Sequence, residues 1–443
     1  MPTILRRLFG GQLWHQPDFR RVWLGETVNQ FGGQISGLAI PLAAALLLRA
    51  SPAEMGLLAA LGLLPYFVIG LPTGVWVDRM RRRPILIGTA LAMAVAFAIV
   101  PAAYLGGFLS MPILYLVALA VGTGGLVYDV AAQSYLPTLI GRSQLVEGNS
   151  KLQLSQSVSQ VVGPGVGGTL IAILSAPVAV LVNSLALLFV GLNLTGVRQQ
   201  EPPPHPGRRP GMVQETREGI RLVFRNPVIR AVGLTMTTYF FFDSAINAVY
   251  ILFVTRDLGL DAGQIGLVYS IGNLGYLAGT LLSARIARRF GVGRALILAM
   301  FSSSVFGLLA PLAGPALGFP VLVLSRLGMT IGIPVFMINQ ISLRQSITPD
   351  RLLGRLTGTM KFISIGFAPI GAFAGGMLGS ALGVHAALLL AATCSLASTA
   401  WLVASPVRNL HIAPRALSDR EEIEVIREAA AEAHQGAMAE VVR

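Results

Sequence analysis

Cysteine is all but absent from this chain of 443 residues: Cys394 stands alone, so an intrachain disulfide and a cysteine metal cluster are both excluded. Lysine is nearly as scarce. Only Lys151 and Lys361 occur, and neither follows a glycine as a GxxxxGKS/T phosphate loop requires, so ATP binding of that kind is excluded. The histidines His15, His205, His385, His411 and His434 are scattered, none at ligand spacing with a carboxylate. No metal and no cofactor is therefore expected. Charged residues of both signs make up 12% of the chain while 54% is hydrophobic, a more apolar balance than soluble domains show. No constellation of His, Asp or Ser stands at an interfacial depth, so an enzyme is not expected.

What is present is a series of twelve apolar runs, at roughly 22 to 48, 54 to 77, 84 to 105, 112 to 136, 154 to 174, 178 to 196, 230 to 254, 264 to 284, 295 to 313, 319 to 343, 362 to 382 and 385 to 404. Most are near the roughly 20 residues that cross a hydrocarbon core as a helix. The first is too long, and lacks the small-residue cleavage site, for a removed signal peptide, so it is expected to remain as a spanning helix. The 33 basic residues fall, apart from Arg49, Arg256 and Arg326, in or at the edge of every second gap. This is the positive-inside pattern, and it puts both termini in the cytoplasm. The net charge of +13 is thereby assigned to the anionic inner leaflet and not to nucleic acid. Arginine so outnumbers lysine that a GC-rich bacterial genome is indicated, hence the inner membrane of a bacterial cell and not an organelle.

The longest interruption carries Pro202, Pro203, Pro204 and a PGRRP stretch, which cannot bury a core. It reads as a cytoplasmic linker, 197–229, between two six-helix halves, 1–196 and 230–404, with a cytoplasmic tail over 405–443. The linker's second part, Val213 to Phe224, has the pattern of an amphipathic surface helix. In the tail, Ser418 with Glu421 forms a capping box before a short acidic helix. An internal repeat supports the two halves: Gly74 and Gly279 are 205 residues apart, as are Pro164 and Pro369. Duplication of this kind places a transporter's substrate site between the repeats.

After the second run the chain reads Gly74, Val75, Trp76, Val77, Asp78, Arg79, Met80, Arg81, Arg82, Arg83. It resembles the GxxxDRxGRR loop of the major facilitator superfamily, with Arg81 standing where glycine is usual. The resemblance implies that Gly74 lets the second helix pack on the eleventh. It also implies that Asp78, with Arg79, Arg82 and Arg83, latches the cytoplasmic side shut in the outward-facing state. A carboxylate at a helix N-terminus is worth about 0.3 to 2 kcal/mol, enough to bias two conformations. A plain basic turn that only sets orientation is the alternative. The GPGVGG of the fifth run, with Gly163, Pro164, Gly167 and Gly168, resembles the GPxxGG element of proton-coupled exporters, although Ser159 replaces an outlying glycine. Gly275 and Gly279 offer a matching glycine face, and ordinary small-residue packing remains the other reading. The stretches DVAAQSYLPTLIGRSQLVEGNSKL from Asp129 and NQISLRQSITPDRLLGR from Asn339 are similar to the branch with macrolide-efflux proteins and the enterobactin exporter.

Four ionisable residues lie well inside the runs: Glu26, Asp129, Asp243 and Arg326, on the first, fourth, seventh and tenth. Such groups face a wet cavity or a partner, because a charge in lipid costs at least about 2.5 kcal/mol. In the resembled fold these four helices line the central cavity, and Asn29, Gln34, Gln133, Asn247 and Asn339 share them. Asp129 and Asp243 are candidates for proton coupling, since desolvation disfavours a charged carboxylate when its side of the cavity closes. A structural hydrogen bond to a neighbouring helix is the alternative for each. Glu26 is also placed to snorkel, and Arg326 to serve as counter-ion, anion site or structural pair. Phe240, Phe241, Phe242 and Tyr250 are substrate contacts or packed aromatic groups.

These features imply an all-α polytopic membrane protein, twelve transmembrane helices in two pseudo-symmetric six-helix halves of the major facilitator fold. The expected function is proton-coupled efflux of an apolar or amphipathic small molecule, such as a drug or siderophore, by alternating access. Its partners would be substrate, protons and the lipid bilayer, and a monomer is expected. A metabolite importer or facilitator of the same architecture, a membrane-embedded lipid enzyme and a sensor are the rivals. Asp243→Asn is expected to abolish proton-driven efflux.

Overall fold

Apolar sequence in lipid has no water with which to satisfy its backbone, so each run must close its own hydrogen bonds as a helix. The computed structural model describes residues 12–141, 144–199, 201, 220–221, 223–348 and 350–411. In the first half the helices are α1 (Pro17–Leu42), α2 (Pro52–Val68), α3 (Gly70–Asp78), α4 (Arg82–Leu105), α5 (Met111–Ile140), α6 (Leu145–Leu174) and α7 (Ala176–Thr195). The second half has α8 (Pro227–Leu252), α9 (Ala262–Phe290), α10 (Val292–Gly307), α11 (Gly318–Ser346), α12 (Asp350–Gly366), α13 (Ala368–Leu382), α14 (Val384–Ser395) and α15 (Ala397–Val403). Among the described residues ten helical stretches are long and apolar enough to cross a membrane, and two shorter apolar helices, Pro52–Val68 and Val292–Gly307, stand at the second and ninth runs. The second, eleventh and twelfth runs are each split, at Ile69, Phe367 and Leu396. The surface helix expected in the linker lies largely, and the tail helix wholly, outside the described residues.

The two halves repeat each other in detail. α1 and α8 each end in a π turn, Ala43–Leu47 and Phe253–Asp257. The next helix of each half then starts from a capping box, Ser51 with Glu54 and Asp261 with Gln264. Ser51 and Asp261 are 210 residues apart, and so are the residues just before α4 and α10, Arg81 and Gly291. Gly74 and Gly279, at 205, are therefore not equivalent positions: the repeat is real, but its register over this hairpin is five residues longer. Pro164 and Pro369 differ likewise, since α6 runs unbroken through Pro164 whereas Pro369 stands at the start of α13. Proline is tolerated in a first turn, where no backbone donor is needed.

Two seams join the halves at the end of the bundle away from the arginine-rich turns. Along one, α2 meets α13 with backbone against backbone: a Cβ on Gly56 would lie 2.6 Å from Gly376 Cα. Along the other, α6 meets α9, where a Cβ on Gly168 would lie 3.0 Å from Gly266 Cα. Only glycine permits such approach. Ala53 N donates to Ser380 Oγ at 2.9 Å and Gly165 N to Ser270 Oγ at 2.8 Å, so both seams also carry hydrogen bonds. Arg256, just past α8, spans the halves, donating from Nη2 to Ala50 O at 2.8 Å and Ala45 O at 3.3 Å. That end is sealed.

Candidate functional site

Toward the basic end the halves part around a cavity of about 1370 Å³. Its wall runs from Glu26, Asn29 and Asp129, deep in the bundle, to Arg21 and Leu145 near the starts of α1 and α6 and Pro137 in the last turn of α5. A second cavity of about 420 Å³ lies further in, and Asn29, Gly33, Tyr128 and Asp129 belong to both walls. Asp129 thus stands at the neck between them.

Two carboxylates share this neck. Glu26 on α1 accepts from Tyr128 Oη at 3.2 Å and from Gln30 Nε2 at 3.3 Å. Asp129 on α5 accepts from Tyr66 Oη of α2 at 3.1 Å and is otherwise exposed to the cavity. The charge on Asp129 acts on Glu26, and Lys361 of α12 acts on Asp129 from the second half. Tyr66, Tyr128 and Lys361 were not among the residues expected from sequence. Lys361 carries a legible signal, one of two lysines at the very edge of an apolar run, but a half-buried and a buried tyrosine in apolar helices carry none.

Asp243 and Arg326 are arranged differently. Neither belongs to the wall of either cavity. Asp243 accepts from Asn247 Nδ2 at 3.0 Å, and Asn247 itself lines the deeper cavity. The Arg326 guanidinium sits 4.0 Å from the centre of the Tyr269 ring, its stem lies against Gly272, and its charge acts on Asp243 without an ion-pair contact. Asn339, expected beside the cavity, is buried and donates to Ser283 Oγ at 3.0 Å and Val335 O at 2.8 Å, so it ties α11 to α9. Asn183, Asn193 and Asn273, on the other helices, also make interhelical bonds, to Ser36 Oγ, Arg21 O and Gln160 O.

The arginine-rich turn is bound to its own half. Arg83 donates from Nε to Leu194 O at 3.0 Å and from Nη2 to Thr195 O at 2.6 Å, satisfying carbonyls at the end of α7. Glu201 accepts from the backbone N–H groups of Arg82 and Arg83, at 3.0 and 3.2 Å, capping α4. Arg79 is exposed, and a Cβ on Gly74 would meet nothing within 4 Å. Asp78 ends α3, and its side chain lies outside the described residues. Of the packing glycines, Gly163 abuts Gln34 and Gly167 abuts Ile35, so this face of α6 seats on α1. Gly275 and Gly279 pack on the α11 carbonyls of Leu327 and Ile331 within their own half, and Gly266 is the α9 glycine that meets α6.

Known proteins share both the fold and the sequence. Nucleoside transporter NupG superposes with a TM-score of 0.71 at 12% identity, over 87% of this chain and 98% of that one. A bacterial homologue of the iron transporter ferroportin gives 0.71 at 16% identity, over 87% and 98%. In sequence, macrolide efflux protein A of Streptococcus pyogenes is 26% identical over 390 residues, 85% of this chain and 92% of that protein. Multidrug efflux pump Tap of Mycobacterium tuberculosis is 28% identical over 392 residues, 84% and 89%. The transmembrane secretion effector family matches residues 13–437. With its paired six-helix halves and cavity at their interface, the chain belongs to that family, and is a membrane transporter of the major facilitator superfamily.

Proposed function

We propose that this transporter exports an amphipathic small molecule from the bacterial cytoplasm in exchange for protons. The observation that carries the reading is the cavity itself. A large, carboxylate-bearing chamber is open toward the basic end of the bundle while glycine seams close the other end. With the basic end placed in the cytoplasm by the positive-inside pattern, this is an inward-facing form. Substrate enters between the halves, and Asp129, wetted from the same side, gives its proton to the cytoplasm. Rocking of the halves then closes the basic end. Gly74, with free space around it here, leaves room for that closure, and Asp78 with Arg79 and Arg82 takes up the latch on the second half. Arg83 stays on α7 as a brace. Once the far side opens, Asp129 is rewetted there, takes a proton, and is carried back neutral, because a charged carboxylate resists desolvation. Glu26, close enough to feel the charge on Asp129, makes ionisation of both carboxylates at once costly, so the pair favours keeping one proton between them.

Everted membrane vesicles test this directly. Under an inward-acid pH gradient the wild-type chain is expected to accumulate an amphipathic drug such as a macrolide, and to stop when the gradient is collapsed. Net accumulation of the drug by intact expressing cells would decide for import instead.

A further inference from the structure

Along α6 the residues Asn149, Gln153, Gln156 and Gln160 recur at intervals of four, three and four. This spacing places all four amides on one face of the helix, in a stripe roughly 16 Å long at 1.5 Å per residue. All four line the large cavity, and Gln133 of α5 joins them. Among the described residues, none of these five side-chain amides has a hydrogen-bond partner. Gln30, also in the wall, buries its Oε1 without a partner. The same face of α6 continues toward the sealed end as Gly163 and Gly167, where it packs on α1. Amides therefore begin where helix packing ends. Across the cavity α9 presents Leu277 and Leu281, one turn apart.

From this we infer that the cavity takes a neutral, polyoxygenated amphiphile, its hydroxyl and carbonyl groups read by the α6 amides and its apolar face laid on the α9 leucines. The inference rests on the export reading and adds the substrate's chemistry to it. An amide both donates and accepts, as a hydroxyl does, so a row of amides matches a row of hydroxyls. A carboxylate only accepts when ionised, and Glu26 and Asp129 suffice for a cation without any amide. A chamber of about 1370 Å³ is also larger than the roughly 300–1000 Å³ of ordinary ligand sites. It suits a molecule of several rings.

The test measures binding to the purified full-length chain in nanodiscs, with a neutral macrolactone glycoside and with ethidium, a planar cation that carries no oxygen. The variant Q153A/Q156A/Q160A is expected to weaken glycoside binding by roughly tenfold or more, and to leave ethidium binding within about twofold. Retained ethidium binding also certifies that the variant is folded. A single Gln156→Asn, which keeps an amide, should recover glycoside affinity relative to Gln156→Leu. Unchanged glycoside binding in the triple variant, equal losses for both ligands, or ethidium bound where the glycoside is not, each overturns the inference while leaving export intact. Failure of both ligands to bind the wild-type chain overturns the export reading with it.

Discussion

The two halves of this transporter repeat the same helices but divide the polar groups unequally. In the first half α1, α5 and α6 supply nearly all of the cavity wall, and Asp129 stands exposed to it with Tyr66 as its protein partner. The second half gives that wall only Leu277, Thr280 and Leu281, while Asp243 lies off both cavities and faces its own Asn247 and the field of Arg326. Both feel a cation, Lys361 or Arg326, but only Asp129 opens to the cavities. The comparison teaches that depth in the membrane does not assign a role; access to the cavity does.

Replacing the wet carboxylate should have the largest effect. Asp129→Asn removes the group that alternates between charged and neutral, so drug accumulation in everted vesicles under a pH gradient is expected to vanish, while downhill exchange of the same drug persists. Uphill transport surviving in Asp129→Asn would dismiss the proton assignment. The carboxylate that lies off both cavities should behave as a structural charge. Asp243→Asn leaves Arg326 without its balancing anion, and a loss of about 1–3 kcal/mol of stability is expected, read as a lower unfolding midpoint in detergent. Removing both charges in Asp243→Asn with Arg326→Gln should cost less than the sum of the two single changes. Additive losses, or abolished coupling in Asp243→Asn at full stability, would make the halves alike and return Asp243 to the proton path.

That inequality was only partly legible in the sequence. Apolar length and the placement of arginines gave the helices, since both are averages over many residues and survive local detail. Glu26 and Asp129, on the first and fourth runs, line the large cavity. Asp243 and Arg326 occupy equivalent runs yet miss the cavity, because a helix position does not say how far the halves have parted. The offset between Gly74 and Gly279 was a coincidence of glycines that cap-to-cap comparison of the two hairpins corrects by five residues. Arg256 was visible only as an exception to the basic pattern. Its role depends on carbonyl groups at Ala45 and Ala50, 211 and 206 residues away, which no side-chain pattern reports.

Arg256 lies on the seam between the halves and gives the next effect in size. Its charge-assisted bonds to the carbonyls after α1 are worth roughly 1.5–3 kcal/mol, and they exist only while the far end is sealed. Arg256→Gln should therefore raise the outward-open population by roughly tenfold or more. In a chain whose Cys394 is replaced by Ser, a cysteine substituted for Ile40, in the wall of the deeper cavity, reports this as faster labelling by a membrane-impermeant reagent added from outside. Labelling at the wild-type rate would mean that the glycine contacts of α2 with α13 and α6 with α9 hold the seal by themselves.

The smallest effect separates proton access from proton holding. Tyr66 gives Asp129 its one hydrogen bond from a side chain, across 3.1 Å, but Asp129 is already exposed to the cavity, so water can replace the hydroxyl. A neutral donor replaced by water costs about 1 kcal/mol or less. Tyr66→Phe is accordingly expected to change the transport rate by no more than roughly fivefold and to leave the steady-state drug gradient unchanged, since that gradient depends on the coupling ratio and not on speed. The same change at Tyr128, whose hydroxyl serves the half-buried Glu26, should cost more, because less water reaches that carboxylate. A steady-state gradient that collapses in Tyr66→Phe would mean that the proton reaches Asp129 through the tyrosine and not through the open chamber, and the wet half would then owe its function to a relay.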